Sequence, residues 1–218
     1  MSRDTESQTP GLLSLARLAA RLKSVPRTGW LDRGIPPQET ESVADHSLAV
    51  ALLAWACAVE RQAQGAGLDP DRVALLALIH DLPEADIGDI PPYDPTALSA
   101  RTGAEERRTF LDRRHVRDDE AASAKRFAED AAMRDLLDAL PPSVQAPLTS
   151  LWDELRQGAS PEARFVKQVD RLETFLQSRA YLKRTPDAPM DSFRREVLET
   201  IDDPLLAAIR DAALSNEL

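Results

Sequence analysis

The ten residues from Val73 to Leu82 form an apolar run broken only by His80 and Asp81. The run follows Asp69-Pro70, a capping residue and a proline suited to the first helical position, so a helix is expected from Pro70 to about Ala85. A helix this apolar must be buried. An imidazole or carboxylate buried with it and left unpartnered costs on the order of several kcal/mol. A divalent cation satisfies both groups together, because adjacent helix positions point about 100° apart and can grip an ion across the helix shoulder.

The rest of the chain is also written for helices. β-Branched residues are sparse, alternating patterns are absent, and Ala, Leu, Arg and Glu dominate. The fold class is therefore all-α. Helices are expected at about Leu12–Lys23, Val43–Gln64, Arg117–Ala139, Pro142–Gln157 and Pro161–Lys183. Another is expected at Met190–Leu214, broken at Pro204. Val25-Pro26 stops the first, and Thr40 and Ser42 offer caps for the second. The polar stretch from Thr96 to Leu111 reads as a short helix or a mobile insertion. The sum is a compact bundle of about seven or more helices. With 218 residues a single domain over 1–218 is expected, its core at about 12–184 and its last helices at 190–215.

Composition limits the partners. A net charge of −10 opposes a nucleic-acid polymer or an anionic membrane surface, but not a small phosphate ester held by a metal and one or two arginines. The lone cysteine, Cys57, lies in an apolar stretch and reads as a small buried hydrophobe; one cysteine allows no internal disulfide and suits a reducing, cytoplasmic compartment. The first ten residues are polar and acidic, unlike a secretory leader, and no apolar run is expected to reach the roughly 18 residues of a membrane span.

Several residues near and far join His80 and Asp81 as candidates. Glu84, four residues beyond His80, would share its helix face. Asp89 follows on the Gly88 loop, while Asp86 reads as a solvated helix end. A metal-assisted hydrolase needs a carboxylate that moves protons without being a ligand, and Glu84 has the position for it. His46 opens a strongly apolar helix in Ser42-Val43-Ala44-Asp45-His46-Ser47; a histidine bonded to backbone is the plain alternative. Asp170 has apolar neighbours at Val166 and Val169, so it faces or flanks the core, with a salt bridge to an arginine as its plain alternative. Arg27, in Val25-Pro26-Arg27-Thr28-Gly29-Trp30, could bind a phosphate bidentately while the Trp30 indole packs near a base or sugar. A surface arginine beside a core tryptophan fits the same residues. His115 sits in a very polar run and reads as a surface histidine.

The order His46, His80-Asp81, Asp170 resembles the H…HD…D pattern of the HD-domain metal-dependent phosphohydrolases, and most closely their 5′-deoxynucleotidase subgroup. The resembling stretches are Leu22–Trp30, Glu41–Ser47, Ala77–Glu84 with Gly88-Asp89-Ile90, and Phe165–Asp170. The resemblance implies a helical fold in which His46, His80, Asp81 and Asp170 ligate one divalent metal. It implies that Glu84 handles protons for the attacking water, that Asp89 contacts the sugar or assists at the site, and that Arg27 holds the phosphate. It suggests Mn²⁺, Co²⁺ or Mg²⁺, and a homodimer. The stretch 96–111 looks inserted relative to the family, and Leu31-Asp32-Arg33 differs from it, which leaves base recognition open.

The chain has three histidines, too few for a dinuclear site of the histidine-rich kind, so one metal is expected. Two imidazoles and two carboxylates suit Mn²⁺, Co²⁺, Fe²⁺ or Zn²⁺ better than Mg²⁺. The expected function is hydrolysis of (deoxy)nucleoside 5′-monophosphates. The alternatives are a triphosphate or alarmone hydrolase, with Arg101, Arg107 and Arg108 as added phosphate contacts, and a helical sensor that binds metal and nucleotide without turnover.

Overall fold

The computed structural model describes residues 3–215, so the polar opening stretch lies partly outside the described residues. Among those residues there are twelve helical segments: α1 (Arg3–Leu22), α2 (Thr28–Asp32), α3 (Val43–Ala63), α4 (Pro70–Ile79), α5 (Glu84–Ile87), α6 (Pro95–Ser99), α7 (Ala104–Leu111), α8 (Asp119–Asp138), α9 (Pro142–Gln157), α10 (Pro161–Leu182), α11 (Asp191–Thr200) and α12 (Pro204–Leu214). The all-α expectation holds. The count exceeds seven because the connections themselves coil into short helices.

Helix starts follow local chemistry. Ser42 accepts from the Asp45 N–H while the Asp45 carboxylate accepts from the Ser42 N–H, a closed capping box at the head of α3. Asp69, Asp94, Ser160 and Asp203 cap α4, α6, α10 and α12, each followed by proline at the first helical position. Gly158, left-handed at φ 58°, closes α9. Where α1 crosses the end of α8, Gly11 lies so close that a Cβ there would collide with the Ala139 carbonyl.

The long helix expected from Pro70 to about Ala85 is two helices. Pro83 has no N–H to give and its ring crowds the carbonyl one turn back, so α4 stops at Ile79. The chain then turns through shorter bonds, Leu82 N–H to Ile79 O (3.2 Å) and Glu84 N–H to Asp81 O (3.0 Å), before α5 begins. His80 and Asp81 therefore stand at a helix end. The stretch 96–111 is likewise not one piece but α6 and α7, with a small core of its own in Tyr93, Leu98 and Leu111, packed by Phe110.

The main core forms where α3 packs on α4 and both pack on α10. α3 corrects one expectation: by length and composition it could cross a membrane, because its charged residues sit near its two ends. Here it is the central core helix, with Val43, Val50, Ala54 and Ala58 buried. A second cluster gathers Trp30, Ile35, Tyr181, Ala188 and Met190. An isolated antiparallel bridge, Pro26 to Ser42, ties the loop before α2 to the head of α3 and so sets Arg27 beside His46's helix.

Candidate metal centre and its cavity

The three core helices bring four distant residues to one point. His46 projects from the first turn of α3, His80 and Asp81 from the end of α4, and Asp170 from the middle of α10. His46 Nε2 lies 3.1 Å from Asp170 Oδ1 and 3.8 Å from Asp81 Oδ2. His80 Nε2 lies 3.2 Å from Asp81 Oδ2 and 3.9 Å from Asp170 Oδ1. Donor atoms of His46, His80 and Asp170 all fall within 4.8 Å of one another, a cluster that can hold a metal ion.

The outer nitrogens decide which inner nitrogens are free. His80 Nδ1 donates to the Ala77 carbonyl at 2.6 Å, which fixes the ring with Nε2 turned toward the cluster. That Nε2 is buried and, despite its nearness to Asp81, has no hydrogen-bond partner. An orphaned buried imidazole nitrogen pointing where two carboxylates converge fits a cation. His46 is wholly buried; its Nδ1 meets Glu173 Oε2 at 2.7 Å, which turns Nε2 toward Asp170 and the cluster. A carboxylate behind a ligating histidine orients the ring and raises its basicity. Sequence reading missed Glu173. Its signal was present: it follows Asp170 by three residues, on the same helix face.

Charge is finely partitioned around this cluster. Burial pushes the Asp81 carboxyl up, but the adjoining His80, with Arg27 and His46, holds it well below the usual carboxylate range. Burial likewise opposes ionisation of Asp170, and the hydrogen bond from His46 with the charge of His80 outweighs it. Burial and Arg27 act to lower the His46 pKa; hydrogen bonds to Asp170 and Glu173 carry it up to about 10. Arg27 Nη1 sits 3.3 Å from Asp81 Oδ2, whereas the arginine contact weighed as the plain alternative for Asp170 does not form among the described residues.

Glu84 is the opposite case. It is 3% exposed, and burial, reinforced by the charges of Asp81 and Asp89, raises its pKa well above the ordinary carboxylate value. Lys125 of α8 approaches Oε1 at 3.4 Å, while Oε2 is buried without a partner. Among the described residues its side chain makes no hydrogen bond to His46, His80, Asp81 or Asp170, so this carboxyl, with its pKa raised by burial, stands beside the cluster rather than in it.

A cavity of about 230 Å³ opens over this cluster, walled in part by Arg27, Asp81, Glu84, Asp89, Lys125 and Asp170. Asp89 lines it while its carboxylate accepts from the Thr28 N–H at 2.6 Å, so it also fixes the loop that carries Arg27. Trp30 contributes to the wall, but its ring is 1% exposed, stacks on Phe193 at 4.7 Å and donates Nε1–H to Glu41. His115 departs from the surface role expected of it: its ring lies 4.3 Å from Phe110 and 5.2 Å from Tyr93, and it lines the cavity. Arg101, Arg107 and Arg108 do not line the cavity; they bond to the carbonyls of Ala97, Leu98 and Asp187. Three further arginines that do reach it, Arg113, Arg114 and Arg117, come from just beyond α7.

A helical bundle that turns two imidazole nitrogens and two carboxylates toward one point is a metal-ligating fold. The chain belongs to the HD-domain family, whose model, described as HD domain, matches residues 19–209. It is 36% identical over 170 residues to a Bos taurus protein named 5′-deoxynucleotidase HDDC2, covering 78% of this chain and 67% of that one. The Homo sapiens protein of the same name is 35% identical over 170 residues, 78% of this chain and 68% of that one. Among solved structures, a protein from Pyrococcus horikoshii OT3 superposes with a TM-score of 0.65 at 26% identity, covering 92% of this chain and 96% of that one.

Proposed function

We propose that this chain is a metal-dependent 5′-deoxynucleotidase, hydrolysing (deoxy)nucleoside 5′-monophosphates to nucleoside and phosphate. The observation that carries the reading is the orphaned His80 Nε2, buried beside Asp81 and Asp170, two carboxylates that line a cavity together with Arg27 and Glu84. The names of the relatives supply the substrate class.

In this reading His46, His80, Asp81 and Asp170 hold one divalent ion, and the mixed N/O donor set favours Mn²⁺ or Co²⁺ over Mg²⁺. When bound, the ion supplies Lewis acidity to a phosphoryl oxygen and lowers the pKa of water. Arg27, kept charged by Asp89 and Asp81 against burial, binds the phosphoryl group and neutralises charge that grows on it. Water oxygen bonds to phosphorus and the bond from phosphorus to the 5′ oxygen breaks. Glu84, whose pKa burial raises, is placed to give a proton to the leaving 5′ oxygen and to take one back from the water that has attacked, with Lys125 holding its carboxylate form between the two. Asp89 acts from the same wall, positioning the Arg27 loop and facing the sugar. Trp30 backs that loop from the core.

The test is a phosphate-release screen of nucleotides against several divalent metals, beginning from chelated protein. Release from 5′-monophosphates with Mn²⁺ or Co²⁺, lost in Asp81→Ala, is the expected result. No release from any nucleotide with any metal sinks the reading, and pyrophosphate or triphosphate as leaving group redirects it to the longer substrates.

The cytoplasm suits a chain with one buried cysteine, and the acidic surface suits a small nucleotide rather than a polymer. A homodimer is supported by an apolar row on α3, Leu48, Leu52, Trp55 and Val59, extended by Leu75 and Leu78 of α4, all well exposed. Leu52→Glu is expected to convert a dimer to monomer in sedimentation. A wild-type protein already monomeric at micromolar concentration would remove the dimer.

A further inference from the structure

The cavity holds more positive charge than one phosphoryl group needs. Its wall includes Arg113, Arg114 and Arg117, all from the five-residue stretch Arg113-Arg114-His115-Val116-Arg117 between α7 and α8. In a chain of net charge −10 this is a marked local concentration of cations. Arg33 also lines the cavity, but its guanidinium is occupied by the carbonyls of Gly29, Leu111 and Pro189 and the Ser192 hydroxyl.

The three arginines are not used up in this way. Arg113 makes no hydrogen bond or ion pair through its side chain among the described residues and stands exposed at the cavity mouth. Arg114 pairs through Nη1 with Glu199 at 2.9 Å, yet its Nε is buried with no acceptor. Arg117 gives one N–H to the Ile90 carbonyl at 2.5 Å. A guanidinium has five N–H donors, so each residue keeps several at the wall. A patch of arginines on an open surface would need no explanation. Arg114 meets only Glu199 among the described residues and its side chain is 29% exposed, so its guanidinium stays open to an acceptor that arrives from outside.

The patch is also separate from the metal-ligating cluster. No hydrogen bond or ion pair joins any of the three to His46, His80, Asp81, Glu84 or Asp170, whereas Arg27 stands 3.3 Å from Asp81. An anion bonded directly to the reacting phosphorus would lie with Arg27. An anion carried elsewhere on the nucleoside is the one left for this segment to meet.

Resting on the nucleotidase reading above, we propose that Arg113, Arg114 and Arg117 form a second anion subsite. The preferred substrates are then nucleoside 5′-monophosphates bearing a second phosphate on the nucleoside, as in a nucleoside 3′,5′-bisphosphate. The reaction is unchanged: water adds to the 5′ phosphorus, the bond to the 5′ oxygen breaks, that oxygen takes the proton, and the 3′ phosphate stays in place.

The experiment compares kcat/KM of the metal-replete full chain for a deoxynucleoside 5′-monophosphate, its 3′,5′-bisphosphate and its 5′-diphosphate, all with one base. The bisphosphate is expected to lead the monophosphate by about tenfold or more, with the 5′-diphosphate not favoured. In Arg113→Gln and Arg114→Gln that preference ratio falls about tenfold, the loss of a charge-assisted contact. Arg113 has no partner to lose, so its variant folds whatever happens to the other. A wild-type ratio of one or less, a ratio unchanged in both variants, or a preference for the 5′-diphosphate overturns the proposal. Calorimetric binding of the same mono- and bisphosphate separates the two readings. Tighter binding of the bisphosphate with no turnover of any nucleotide upholds the subsite and sinks the nucleotidase reading, whereas equal binding sinks the subsite.

Discussion

The metal-ligating end of the cavity and the wall opposite it are built differently. The ligating end is drawn from α3, α4 and α10, the three helices of the main core, and its side chains are held from behind by Glu173 and the Ala77 carbonyl. The other wall comes from the stretches 90–93 and 113–117, which flank α6 and α7, and leans on a three-residue core of its own, pinned by Arg33 to the Leu111 carbonyl. Rigid packing suits groups that must meet a metal within tenths of an ångström; a separate small core lets the substrate-facing wall change without disturbing them. On the proposed function, the contrast would put turnover on one side and substrate choice on the other.

The sharpest way to break that division is Glu84→Gln. On the reading above, kcat falls by about 10²–10⁴-fold, the usual range for a lost general acid. Stability should move the other way. Because burial raises the folded-state pKa of Glu84, the folded protein binds that proton more tightly than the unfolded chain. The contribution is whole below the unfolded carboxylate pKa and is lost as pH rises through the raised folded value. Glutamine has no proton to lose, so the variant's Tm, measured in chelator, should exceed wild type by a margin that widens with pH. A margin independent of pH would show that Glu84 is not strained by burial.

Glu173→Gln comes next. With the His46 ring no longer backed by a carboxylate, metal affinity should fall about 10–100-fold in a calorimetric titration. An unchanged affinity would leave Glu173 a core residue and weaken the claim that the ligating end is supported from behind. The smallest effect is expected across the cavity. Leu111→Ala opens the small core, where such truncations cost about 2–5 kcal/mol locally, and should raise KM while kcat stays within about twofold. A collapse of kcat would mean that the two sides are mechanically one.

The chain writes its helix starts and its ligands plainly. Ser42 with Asp45, Asp69-Pro70 and Ser160-Pro161 are bonds between near neighbours, so they are visible in any short stretch of sequence. His80 and Asp81 announce themselves because an apolar helix has no other use for them. His46 and Asp170 were recognisable by their order and by resemblance rather than by their local surroundings. Pro83 could have been read as the end of α4, and the apolar pattern running past it hid the break.

What only the tertiary structure decided are the pairings between residues far apart in the chain. His46 and Glu173 are separated by 127 positions, and nothing local to either names the other. Lys125 reaches Glu84 only because α8 packs on α5, and the polar run around His115 becomes a cavity wall only because Tyr93 and Phe110 hold that ring. Backbone caps and buried polar groups are set by local bonding and desolvation, which the sequence carries residue by residue. Which charge faces which across a cavity depends on how whole helices pack, and that is a property of the assembled core.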